Sequence, residues 1–127
     1  MNSTIEALQG KYVVAVSGMR KGGDEVRFTL QDGTTVLFDH MQDCCESVWL
    51  EDVDGDPEDL VDQVLVVAEE RVSEGESSPN LHMGQTWTYY TFRTQAGTVT
   101  LRWIGESNGY YSERVDMYVD GKRVWRD

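Results

Sequence analysis

Three dipeptides, Asp32-Gly33, Asn108-Gly109 and Asp120-Gly121, interrupt runs in which apolar and polar residues alternate. Such dipeptides accept the positive φ angles that a two-residue hairpin turn demands, so each predicts a pair of antiparallel strands. Before the first turn, Val26, Phe28 and Leu30 alternate with Arg27 and Thr29, and residues 34–39 form the return strand. The other two turns, with Ala96-Gly97, divide the C-terminal third into strands at residues 86–93, 98–104, 113–119 and 122–125, a four-strand meander. Further strands are expected at 12–16, 47–53 and 64–72, although Ala68-Glu69-Glu70-Arg71 would suit a helix equally well. Ser3 or Thr4 can cap one or two helical turns that Gly10 stops. Residues 54–62 read as an acidic loop with a helical turn started at Pro57, and 73–84 have the composition of a mobile loop. The expected architecture is a mainly β (α+β) single domain over 1–127, with antiparallel hairpin meanders, a short N-terminal helix and an acidic middle loop.

The 127 residues suffice for one core, and valine, the commonest residue, favours strands over helices. No apolar run is long enough to cross a bilayer and no signal-peptide pattern opens the chain, which predicts a soluble cytoplasmic protein. The two cysteines, Cys44 and Cys45, are adjacent, and neighbouring side chains on a strand point apart; two reduced thiols are expected. A formal net charge of −12 argues against binding nucleic acid or an anionic membrane. Between Asp39 and Glu70 the chain carries no Lys or Arg, so an anion site must be built from the two ends of the chain.

In residues 98–104, Val99, Leu101 and Trp103 share one face, and Thr100 and Arg102 the other. With the apolar face on the core, Arg102 stands outward beside Ser107, Asn108, Tyr110 and Tyr111. A guanidinium forks onto phosphate oxygens, a tyrosine ring stacks on a base, and hydroxyl or amide groups bond ribose. These residues are therefore a candidate site for a nucleotide-like ligand. The alternative is structural: a hairpin turn covered by its tyrosines, with Arg102 paired to an acid such as Glu106.

Other constellations fit their chemistry poorly. The acids from Asp52 to Glu58 suggest a calcium loop, but Pro57 stands where glycine is required and Gln63 where a bidentate Glu is required. His40, Cys44, Cys45 and His82 match no zinc spacing, and no oxyanion element accompanies a Cys–His pair. No metal, no cofactor and no catalytic residue are expected.

The runs His40-x-Gln42-Asp43-Cys44-Cys45-Glu46-Ser47-Val48 and Arg102-Trp103-x-Gly105-Glu106-Ser107-Asn108-Gly109-Tyr110-Tyr111-Ser112 resemble the bacteriophage Thoeris anti-defence sponge family. So do Glu51-Asp52-Val53-x-Gly55-Asp56-x-x-Asp59-Leu60-Val61 and Thr86-Trp87-Thr88-x-Tyr90. The resemblance implies a homo-oligomer, in the cytoplasm of the infected host, that sequesters a cyclic ADP-ribose signal without degrading it; some relatives also capture cyclic oligonucleotides. It adds Trp87 and Tyr90 to the ligand-binding set. Arg114 departs from the family pattern, where a small or acidic residue is expected. Two readings from other classes remain: an acidic decoy that mimics DNA and inhibits a defence nuclease, and a small enzyme that degrades the same signal.

Overall fold

The computed structural model describes residues 4–41, 45–75, 84–107 and 113–124. Among the described residues ten strands run in chain order: β1 Tyr12–Ser17, β2 Val26–Leu30, β3 Thr35–Asp39, β4 Ser47–Asp54, β5 Gln63–Val64, β6 Val67–Gly75, β7 Gly84–Arg93, β8 Thr98–Ser107, β9 Asp116–Val119 and β10 Lys122–Val124. They form two antiparallel sheets, one ordered β10-β9-β3-β2-β1-β5 and the other β4-β8-β7-β6. The expected N-terminal helix is a single 3-10 turn, Thr4–Leu8, that buries Ile5 and Leu8. A second 3-10 turn, Pro57–Leu60, starts at proline as anticipated, and the Asp56 carboxylate caps it by accepting from the Glu58 N–H at 3.0 Å.

The alternation read from the sequence drives the packing. Val26, Phe28 and Leu30 of β2 and Val36 and Phe38 of β3 point to the core, as do Tyr90, Phe92, Val99, Leu101 and Trp103 from the other sheet. Phe28 meets Phe92 with ring centroids 4.9 Å apart and Phe38 meets Tyr90 at 4.8 Å, so an aromatic cluster joins the two sheets. Of the residues read as a strand or helix at 64–72, Val64 ends β5 and 67–72 belong to β6 in the other sheet, with Leu65 and Val66 between them in neither. Residues 73–75 and 84, expected in a mobile loop, are paired strand; the remainder of that expectation, 76–83, lies outside the described residues.

The C-terminal four-strand meander does not form. β7 and β8 pair within the four-stranded sheet, whereas β9 and β10 make a hairpin that joins β3 in the other. Asn108-Gly109 thus falls between strands of different sheets, and its own geometry lies outside the described residues. Cys45 is disulfide-bonded, which corrects the expectation of two reduced thiols at that position. Among the described residues no helix is long and apolar enough to cross a membrane.

Candidate functional site

Strict alternation along β7 and β8 sends Trp87, Tyr89 and Thr91, with Thr100, Arg102 and Ile104, to the outer face of the four-stranded sheet. Register places Trp87 opposite Ile104, Tyr89 opposite Arg102 and Thr91 opposite Thr100. On the far side of β8, Trp49 lies opposite Ile104 and Asp52 opposite Arg102. On β6, Arg71 lies opposite Tyr89. Two guanidinium–ring stacks result. Arg102 sits 5.6 Å from the Trp87 ring centre, and Arg71 sits 4.7 Å from that of Tyr89. Beside them a depression of about 320 Å³ is lined by Glu69, Glu70, Arg71, Tyr89, Thr91 and Thr100.

Arg102 points outward as its alternation predicts, yet it already has anionic partners. Its Nε and Nη2 donate to one Glu51 oxygen at 2.9 and 2.5 Å, and Asp52 lies 3.8 Å away. A register shift between Leu50 and Asp52 lets consecutive acids of β4 face the same arginine. The hydrogen bond to Glu51, and then the charges of Glu51, Asp52 and Tyr89, push the Arg102 pKa up against the opposing effect of burial. Glu106, the expected partner, instead accepts from Gln85 Nε2 at 3.0 Å.

The predicted ligand residues do not form one cluster. Arg102 and Trp87 share the outer face, but Tyr90 and Ser107 belong to the inner face, because odd and even positions of a strand point to opposite sides. Tyr90 is fully buried, packs against Phe38 and donates its hydroxyl to Glu70 at 2.8 Å. Ser107 is buried and donates to Glu113, whose other oxygen accepts from Thr86 at 2.8 Å. Asn108, Tyr110 and Tyr111 lie outside the described residues. Sequence reasoning missed Tyr89, although alternation along the strand puts it on the same face as Trp87. It also missed Arg71 and Glu51, which only strand register brings to Arg102 and Tyr89.

Behind this face, the space between the sheets turns polar at one end. The buried His40 ring donates through Nδ1 to the Arg114 carbonyl at 2.7 Å, and its Nε2 lies 2.7 Å from the buried Glu46 carboxylate. Arg114 puts its guanidinium 3.8 Å from Glu70. Among the described residues no group of three or more His, Cys, Asp or Glu is arranged to hold a metal ion. Asp56, central to the calcium reading, is used as the cap of the 3-10 turn.

Fold and face together define a small two-sheet antiparallel β domain with an arginine–aromatic surface on its four-stranded sheet. A family model described as a domain of unknown function (DUF7448) matches residues 6–117, and the chain belongs to that family. No curated protein and no solved structure matches it.

Proposed function

We propose that this protein is a bacteriophage anti-defence sponge that binds a cyclic ADP-ribose-type immune signal, holds it unchanged and so withholds it from the host's sensor. The observation that carries this reading is the pair of guanidinium–ring stacks, Arg102 on Trp87 and Arg71 on Tyr89, on one face. A ring can stack on the adenine, a guanidinium can fork onto the pyrophosphate, and the Thr91 and Thr100 hydroxyls beside the depression can bond ribose. The resemblance of residues 40–48 and 102–112 to the sponge family supports the class of ligand. Capture of this kind needs slow release and no general acid or base.

Glu51 sets a condition on this reading. A pyrophosphate reaching Arg102 competes with the carboxylate that already holds it, so the two anions exchange on one guanidinium. Arg102→Ala should weaken binding of cyclic ADP-ribose by about 1.5–3 kcal/mol, roughly 10- to 150-fold. Glu51→Gln should tighten binding, because it removes the competitor and leaves Arg102 in place. Titration calorimetry of both variants, with mass spectrometry of the heat-released ligand, tests the proposal. Unchanged affinity in Arg102→Ala would reject this face as the site, and a released product of altered mass would make the protein an enzyme.

The acidic-decoy reading is favoured by one observation: β4, an edge strand, carries Glu51, Asp52 and Asp54 in close succession along the sheet. A charge mimic should lose its partner steeply with added salt, while signal capture should depend on salt much less.

A further inference from the structure

On the inner face, Thr88 and Trp103 are direct cross-strand partners, each only 1% exposed. Among the described residues neither the Thr88 hydroxyl nor the Trp103 indole N–H has a hydrogen-bond partner. Buried polar atoms of this kind are costly unless something satisfies them. The neighbouring acids are already engaged. Glu70, opposite Tyr90, accepts from the Tyr90 hydroxyl and faces Arg114, and Glu113 accepts from Thr86 and Ser107.

We propose that the inner face between Thr88 and Trp103 is a binding site for one neutral hydroxyl oxygen, supplied by water or by a sugar hydroxyl of a ligand. An indole N–H can only donate, so the occupant must accept, which excludes an ammonium. A carboxylate or phosphate oxygen could accept, but Glu113 and Glu70, bonded to Thr86 and Tyr90 on either side of Thr88, outnumber the single guanidinium of Arg114, and an added anion would be repelled. A hydroxyl oxygen accepts from the indole and still exchanges a hydrogen bond with Thr88, so it satisfies both groups at once. This site is separated from the Arg102 face by the thickness of the sheet. The water source stands without the sponge reading; the sugar source rests on it.

Thr88→Val is nearly isosteric and gives opposite signs for the two cases. With an oxygen bound, loss of the hydroxyl lowers Tm by about 3–6 °C. With nothing bound, removal of an unpartnered buried hydroxyl leaves Tm unchanged or raises it, and the proposal is overturned. Thr88→Ser keeps the hydroxyl and separates its loss from loss of the methyl group. The source is assigned from the Trp103 indole resonance, identified with Trp103→Phe in amide–indole NMR spectra. A cross-peak from the indole proton to bulk water in the protein alone assigns water; a shift that needs added cyclic ADP-ribose assigns the sugar. If Thr88→Val does not fold, the indole signal decides alone, and absence of both responses overturns the site. Arg102→Ala should leave the Thr88→Val loss intact, so failure of the outer face would be seen separately from failure of this one.

Discussion

Asp39 and Asp116 face each other across β3 and β9, a like-charge pair at the end of the ladder. Arg123 relieves Asp116 at 2.8 Å, and the Met41 N–H donates to it at 2.9 Å. Asp39 Oδ1 is buried with no hydrogen-bond partner among the described residues. Burial first, then the charges of Glu25, Asp116 and Asp24, raise the Asp39 pKa from its ordinary 3.8, while His40 acts the other way. A carboxyl with a raised folded pKa destabilises the fold at high pH, and the penalty fades as pH falls through that pKa toward 3.8. Asp39→Asn should therefore stabilise the protein at neutral pH by roughly 0.2–1 kcal/mol, the range for a directly opposed like-charge pair. Urea titrations of both proteins should converge near pH 3.8, and a gain that persisted in acid would assign the effect to packing. Single residues are legible in the sequence where alternation alone decides them. Arg102 stands outward as alternation requires, and the same rule separates Trp87 from Tyr90 and Arg102 from Ser107. Glu51 is not legible, because its reach depends on an irregularity in β4 that no local pattern announces.

Among the elements, the three hairpin signals lead to different strand partners. Asp120 and Gly121 both have positive φ, 50° and 83°, and close the two-residue turn between β9 and β10 that their sequence predicts. Asp32-Gly33 also connects paired strands, within a longer loop between Leu30 and Thr35. Asn108-Gly109 has the same signature, but β8 and β9 belong to different sheets. Local spacing identifies strands; partner choice across many residues depends on which edge is free to bury Val115 and Met117. Gly105 marks this crossing. A Cβ there would stand 2.4 Å from the Glu113 carbonyl oxygen and 2.7 Å from its Cβ, so β8 carries no side chain where the chain passes over it. Gly105→Ala should force the 113–115 segment off β8 and lower stability by about 1–3 kcal/mol. Chemical denaturation measures this, and a loss under about 0.5 kcal/mol, the scale of an ordinary surface substitution, would mean that the segment moves aside freely.

For the molecule as a whole, charge and edges act together. A net charge of −12 repels like copies at long range, and both ends of the four-stranded sheet are partly closed. Leu50 of β4 exchanges backbone hydrogen bonds with Gly22 and Gly23 at 2.7 and 2.6 Å, and the Ala68 N–H of β6 donates to the Gln9 side chain at 3.1 Å. Self-association by adding strands is disfavoured there, so contact through this sheet falls to its faces. Ile104 lies on the outer face yet is only 7% exposed, flanked across the strands by Trp49 and Trp87. That apolar row is where the expected homo-oligomer should meet. Light scattering should give a mass of at least twice 14.5 kDa, and Ile104→Glu should return the chain to a monomer. A monomer in the unsubstituted protein at micromolar concentration would remove the oligomer from the proposal. The position of β9 also bears on how the chain is made. The six-stranded sheet places residues 116–119 against 36–39, so β3 keeps an open edge while the ribosome adds nearly eighty further residues. During synthesis the hazard is a nascent chain pairing that edge with a neighbour's, and the crossing over Gly105 is the step that ends it.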